Sequence, residues 1–299
     1  MGGTISIGFA GVGIMGFHMA RRLAEAGNSV CAWNRAREKA ERLGPHGARV
    51  VDNAAEIAQG ANAVIIMVAD GPASDAVIFG ADGSEGVLAS MEQGSALVVM
   101  SSIPPETAAA QGKAAKEHGV RYLDAPVSGG EPGARDGTMA IMAGGEKDVF
   151  DELQPVFAVL GRSTHVGPAG AGSLAKLANQ VIVGNTIQTV AEALLLAEKG
   201  GADPDAVITA LQGGFADSPI LQNHGRRMIS GDFTPGGRSA IQLKDTRTAA
   251  ELGATLGLEL PVTSLVQQVY ADLVDNGQGD LDHNAAWLEL RRRNKLDET

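Results

Sequence analysis

Cysteine is almost absent from this 299-residue chain, Cys31 being the only one. An intrachain disulfide and a thiolate zinc site are therefore excluded, and a reducing, cytoplasmic setting is expected. Aromatic residues are scarce at 4%, which speaks against an aromatic-rich β-sandwich. Positive charge is in short supply too. The 24 Lys and Arg face 35 Asp and Glu, for a net charge of −11. That argues against a nucleic-acid partner, whose footprint is basic. No run of 18 apolar residues occurs. The longest uncharged helical candidate, Leu177 to Ala191, is broken by Asn179, Gln180, Asn185, Thr186, Gln188 and Thr189, so no membrane span is expected. Met1-Gly2-Gly3-Thr4 has no basic segment leading into an apolar run, and no secretory leader is expected. The six histidines, His18, His46, His118, His165, His224 and His283, show no paired ligand spacing, so no metal site is expected.

What the chain does have is glycine, 40 residues of it, and an ordinary apolar share of 44%. The length suggests two domains. In the first half, short apolar runs at Ile5–Phe9, Ser29–Trp33, Ala63–Val68 and Ala96–Met100 read as buried strands. Helix-compatible stretches lie between them: Met15–Ala26, Ala36–Leu43, Ala54–Gln59, a region near Asp75–Phe79, and Glu106–His118. This alternation predicts an α/β, Rossmann-type, doubly wound parallel sheet. Arg121–Ala125 and Thr138–Ala143 read as further strands around a turn-rich segment, Pro126 to Gly137. Beyond about residue 165 the signals are helical. A long helix is expected over Ser173–Lys199, ended by Gly200-Gly201. Shorter ones follow at Pro204–Gln212, Pro219–Met228, Lys244–Leu256, Pro261–Asn276 and His283–Arg293. The expected organisation is a nucleotide-binding domain over 1–165 and an all-α domain over 166–299.

Gly11-Val12-Gly13-Ile14-Met15-Gly16 lies between a strand and a helix, the context that a dinucleotide-binding loop requires. The first glycine permits the tight turn, the second admits a pyrophosphate, and the third lets helix and strand pack closely. The helix N-terminus adds a favourable dipole. At the end of the second strand, where an NAD site usually has a carboxylate, stand Asn34 and Arg35, with no acidic residue before Glu38. Arg35 suits a 2′-phosphate. NADP is the expected cofactor, with NAD as the alternative.

Asp124-Ala125-Pro126-Val127-Ser128-Gly129-Gly130 follows a strand. Its serine and paired glycines offer backbone donors and a hydroxyl to a carboxylate, although a plain turn reads the same. Lys176, Asn179 and Gln180 share one helix face among apolar neighbours. A partly buried lysine there suits general acid catalysis, and a lysine that reaches to water is the plainer alternative.

Together these segments, with Gly170 to Gln180, resemble the β-hydroxyacid dehydrogenases. That family includes 3-hydroxyisobutyrate dehydrogenases, tartronate semialdehyde reductases and glyoxylate/succinic semialdehyde reductases. The resemblance runs from Ile5 to about Leu288. It implies a Rossmann domain followed by a helical one, with the active site in the cleft between them. It implies Lys176 as catalytic acid/base. Ser128, Gly129, Gly130, Asn179, Gln180 and Asp245 are implied for the substrate, a small carboxylate. Gly11 to Gly16, Asn34, Arg35, Val68, Ala69, Ser102 and Lys244 are implied for the cofactor. Family members pair through the helical domain, so a homodimer or homotetramer is expected. The long helix, apolar all round, is expected to be deeply buried.

The chain also departs from the family. Gln180 replaces a common Asn. Val68-Ala69 replaces a usual Leu-Pro, Val99 a usual acidic residue, and Gly237 a usual Phe. These changes bear on which substrate fits. An imine reductase or a non-catalytic NADP-binding relative is the competing reading, and the presence of Lys176 argues against both.

Overall fold

The computed structural model describes residues 4–81 and 83–296. The chain divides into two compact units, Met1–Lys176 and Leu177–Thr299. Among the described residues the first is built on nine strands. These are β1 Ser6–Ala10, β2 Ser29–Trp33, β3 Arg49–Val50, β4 Ala63–Ile66, β5 Ala96–Val99, β6 Arg121–Asp124, β7 Val127–Ser128, β8 Met139–Gly145 and β9 Gly161–Gly167. The sheet order is β3-β2-β1-β4-β5-β6-β8-β7, with β9 also paired to β8. From β3 to β6 every pairing is parallel. This is the doubly wound order, in which the chain reverses direction across the sheet between β1 and β4. β8 runs antiparallel to β6 and β7, and β9 parallel to β8.

The sequence explains the sheet's double burial. β4 (Ala-Val-Ile-Ile) and β5 (Ala-Leu-Val-Val) are buried at every position, as strands covered on both faces must be. Their side chains alternate between two apolar clusters. Ile7, Phe9, Ile65 and Val98 meet α1 (Ile14–Glu25) through Met19 and Leu23. Val64, Ile66, Leu97 and Val99 meet Ile78 of α3 (Gly71–Phe79) and Ala108 of α5 (Pro105–Glu117). Short helices α2 (Arg37–Glu41), α4 (Val87–Ser90), α6 (Gly130–Asp136), α7 (Lys147–Glu152) and α8 (Gln154–Leu160) complete the unit.

The strands expected in the first half are present, within a residue or two at their ends. Two-residue β3 and β7, and the whole of β9, add to them. β9 reads Gly-Arg-Ser-Thr-His-Val-Gly and carries almost no apolar pattern. The segment 126–137, expected to be turns, holds β7 and α6. The expected boundary near 165 falls within β9, which still belongs to the sheet, and the first unit extends to Lys176.

The second unit is helical, as expected. α9 (Ala171–Lys199) begins in the first unit and continues into the second. α10 (Pro204–Leu211), α11 (Arg226–Ser230), α12 (Ser239–Thr255), α13 (Pro261–Asp275) and α14 (Ala286–Arg293) follow. Their core gathers Leu194, Ile208, Tyr270, Leu273 and Trp287. The helix expected over Pro219–Met228 is interrupted by a π turn, Leu221–Gly225, before α11. α9 is long and apolar enough to cross a bilayer by length and composition, yet its buried side carries Ser173, Gln180 and Gln188. Burial all round is not met within one chain: Leu174, Ile182 and Leu196 are 47%, 65% and 77% exposed along one side.

Phe157 is fully buried against Phe150 in the first core. Phe157→Ala is expected to destabilise that unit by about 3–5 kcal/mol, read as a lower midpoint in urea unfolding.

Candidate active site

The loop after β1 meets the steric requirements of a nucleotide cradle. Gly11 sits at φ +99, and a Cβ there would lie 2.1 Å from the Met67 carbonyl oxygen. A Cβ at Gly16 would lie 2.0 Å from the Gly11 carbonyl oxygen, so helix and loop touch at backbone distance. Gly13 faces open space, with nothing within 4 Å of its Cβ position. The tight turn, the open approach and the close packing thus fall on Gly11, Gly13 and Gly16 in the order a pyrophosphate needs. Among the described residues no side chain caps the start of α1 at Gly13, which suits its first amides to an anion.

Asn34 serves this loop. Its Oδ1 accepts from the Val12 amide at 2.9 Å, and its Nδ2 donates to the Ala36 carbonyl at 2.9 Å. The guanidinium of Arg37 is committed to Glu41 and Asp52. Arg35 is exposed, and among the described residues no ion pair engages it. The segment Val68-Ala69 is held by a serine the sequence reading passed over: buried Ser101 accepts from the Val68 amide at 2.8 Å. Ser102, expected to serve the cofactor, is half-buried beside it.

The lysine meets the segment Val127 to Gly130, called here the acid loop after the carboxylate it is expected to hold. Lys176 Nζ donates to the Val127 carbonyl at 2.9 Å, directly before Ser128-Gly129-Gly130. The side chain is half-buried. Gly129 precedes α6 and Gly130, at φ +61, begins it, so the loop is a strand-to-helix junction rather than a turn. Glu131 of α6 meets His18 of α1 at 3.1 Å. Asp124, at the end of β6, is fully buried. Its two oxygens accept from the amides of Gly170 (2.8 Å) and Ser173 (2.6 Å). Burial pushes the Asp124 carboxyl up, and those amides pull against that rise. Lys176 closes the first unit, so the glycine loop, the acid loop and the ammonium all belong to one compact body.

The remaining expected residues form a network inside the second unit. Gln180 Nε2 donates to Asp245 at 2.7 Å and to Gln242 at 3.2 Å, while its Oε1 accepts from Asn179 at 2.8 Å. Lys244 pairs with the other oxygen of Asp245 at 3.1 Å. Both ends of the Gln180 amide are therefore engaged with neighbours of its own unit, and Asn179 is ordered by it.

A second polar centre was not legible at all. His224, in the π turn, and His283 flank buried Asp282, with their nitrogens 3.6 and 3.8 Å from its Oδ1. A cation would need that oxygen, but the Arg227 guanidinium already stands 3.2 Å from it. The other oxygen accepts the amides of Gly236 and Gly237. The centre therefore organises the loop before α12, and the His283 ring lies 3.5 Å from where a Gly237 side chain would begin.

Comparison with known proteins agrees with both halves. Residues 6–167 match the family model described as the NAD binding domain of 6-phosphogluconate dehydrogenase. Residues 170–289 match that described as NAD-binding of NADP-dependent 3-hydroxyisobutyrate dehydrogenase. A 2-hydroxy-3-oxopropionate reductase of Escherichia coli K12 is 43% identical, over 98% of this chain and 100% of its own length. Glyoxylate/succinic semialdehyde reductase 1 of Arabidopsis thaliana is 33% identical, over 94% and 96%. Among solved structures, Mycobacterium tuberculosis 3-hydroxyisobutyrate dehydrogenase with L-serine superposes with a TM-score of 0.85 at 29% identity, covering 97% of this chain and all of that one.

The Asp282 centre yields a test of acid stability. Burial alone would push its carboxyl up, but His224, His283 and the amides of Gly237 and Gly236 outweigh burial and hold it far below the usual range. A depressed folded pKa gives stability that is complete above the unfolded value, about 4, and is lost as pH falls below it. Asp282→Asn is therefore expected to lower the urea midpoint at neutral pH and to flatten its decline in acid. An unchanged neutral midpoint would contradict this role.

Proposed function

Because this chain belongs to the β-hydroxyacid dehydrogenase family, we propose that it transfers a hydride between NADP(H) and a small β-hydroxyacid or semialdehyde, with Lys176 as general acid and base. Tartronate semialdehyde, glyoxylate and 3-hydroxyisobutyrate define the substrate class. The observation that carries the reading is the ammonium of Lys176 held at the threshold of Ser128-Gly129-Gly130. The 43% identity to a 2-hydroxy-3-oxopropionate reductase supports that class.

When bound, the nicotinamide supplies the hydride. The chain's own residues do the rest. Ser128 offers a hydroxyl, and the start of α6 offers backbone amides, to the substrate carboxylate. Held there, the carbonyl carbon is oriented for attack, and fixing that geometry removes much of the entropic barrier. As the carbonyl oxygen gains charge, Lys176 Nζ gives it a proton. In the oxidative direction the neutral amine takes the hydroxyl proton back. In the helical unit, Lys244 is assigned to the cofactor and Asn179 to the substrate, with Gln180 and Asp245 setting their side chains.

NADP is favoured over NAD by the end of β2. Arg37 is neutralised by Glu41 and Asp52, and Asn34 is spent on the backbone, which leaves Arg35 for a 2′-phosphate. The exposed stripe Leu174, Ile182 and Leu196 supports pairing of copies through α9.

Lys176→Ala is expected to cut turnover with NADPH by about 10²- to 10⁴-fold while the NADPH dissociation constant stays unchanged. Near-normal turnover would remove the assignment. Arg35→Ala is expected to lower the NADPH-over-NADH ratio of kcat/KM by about tenfold. An unaltered ratio would place the 2′-phosphate elsewhere.

A further inference from the structure

We propose that Asp124 is the positioning residue of this site: its buried carboxylate fixes the first turn of α9 and so sets the place from which Lys176 reaches the acid loop. The inference rests on the reading of Lys176 as the proton donor. A helix leaves its first amides unpaired, and an oxygen-bearing side chain just before the helix normally takes them. α9 has no such residue of its own, because Gly167-Pro168-Ala169-Gly170 precede it. The acceptor comes instead from β6. Asp124 takes the amides of Gly170 and Ser173, which lie 46 and 49 residues downstream.

Lys176 follows Ser173 by three residues on the same helix, so a shift of that turn moves the base of the lysine with it. The other end of the lysine is fixed by Val127, in the same short segment as Asp124. Asp124, the first turn of α9, Lys176 and Val127 therefore close a ring of covalent and hydrogen bonds. Its backbone segments approach closely. A Cβ at Gly172 would lie 2.2 Å from the Asp124 carbonyl oxygen, and one at Gly144 would lie 2.6 Å from both Asp124 Oδ1 and the Gly172 nitrogen. The negative carboxylate also suits the positive end of the helix.

The test is Asp124→Asn, which keeps the shape but turns one acceptor into a donor facing an amide. Active sites are counted by NADPH binding, and kcat, KM and the pH profile are measured for the folded fraction. A displaced ammonium is expected to cost about a hundredfold in kcat and to move the pH limb of kcat, with NADPH affinity retained. A purely structural role would lower the folded fraction only, leaving kcat per site and its pH limb as in the wild type, and that result overturns the proposal. Lys176→Ala assayed alongside separates the two claims. If that variant is inactive while Asp124→Asn turns over normally, only the positioning role fails. If Lys176→Ala is itself active, the underlying reading fails. Should Asp124→Asn not fold, hydrogen exchange in the wild-type holoenzyme decides. The Gly170 and Ser173 amides are expected to exchange as slowly as those of β6, and exchange at the rate of a fraying helix end overturns the ring.

Discussion

A hydrogen bond from the Lys176 ammonium to the Val127 carbonyl is the contact on which the functional account depends. A lysine has four rotatable carbons and a strong preference for water. Holding one beside a loop of serine and glycines requires a fixed helix at one end and an acceptor at the other. The parallel sheet supplies both. β6 delivers Asp124 to the start of α9, and the segment leaving β6 delivers Val127 and then Ser128. The same sheet, at the end of β1, delivers the glycine loop with its open approach at Gly13.

Much of this could be read from residue order. The buried strands announce themselves because burial on both faces demands unbroken apolar runs, as in Val64-Ile65-Ile66 and Leu97-Val98-Val99. The glycine loop is legible because its three positions have separate steric duties. Lys176 is legible as an isolated cation on an apolar helix start. β9 is not, because its side chains alternate between half-buried and exposed and its partner β8 alone specifies it. β7 and α6 are hidden by glycine and proline, which read as turns but here make a strand-to-helix junction.

The polar networks lie further beyond local patterns. Gln180 meets Gln242 and Asp245 from 62 and 65 residues away. Nothing near Gln180 signals that its amide, expected to face substrate, also bonds to Asn179, Gln242 and Asp245. His224 and His283 show no ligand spacing, yet a π turn at one and the backbone following Asp282 at the other bring them together around that carboxylate. Ser101 and Ser102 are sequence neighbours, yet it is Ser101 that is fully buried and accepts from the Val68 amide. Local chemistry identifies what a residue can do, and long-range pairing decides whether its groups remain available to do it.

Chemical rescue of the lysine tests the central claim most directly. Lys176→Ala is assayed with NADPH and tartronate semialdehyde in rising concentrations of methylammonium. If the ammonium donates the proton, the added amine is expected to restore turnover saturably, and the pH dependence of the restored rate is expected to follow the amine rather than the protein. Full turnover without any amine, indifferent to its addition, would contradict the account.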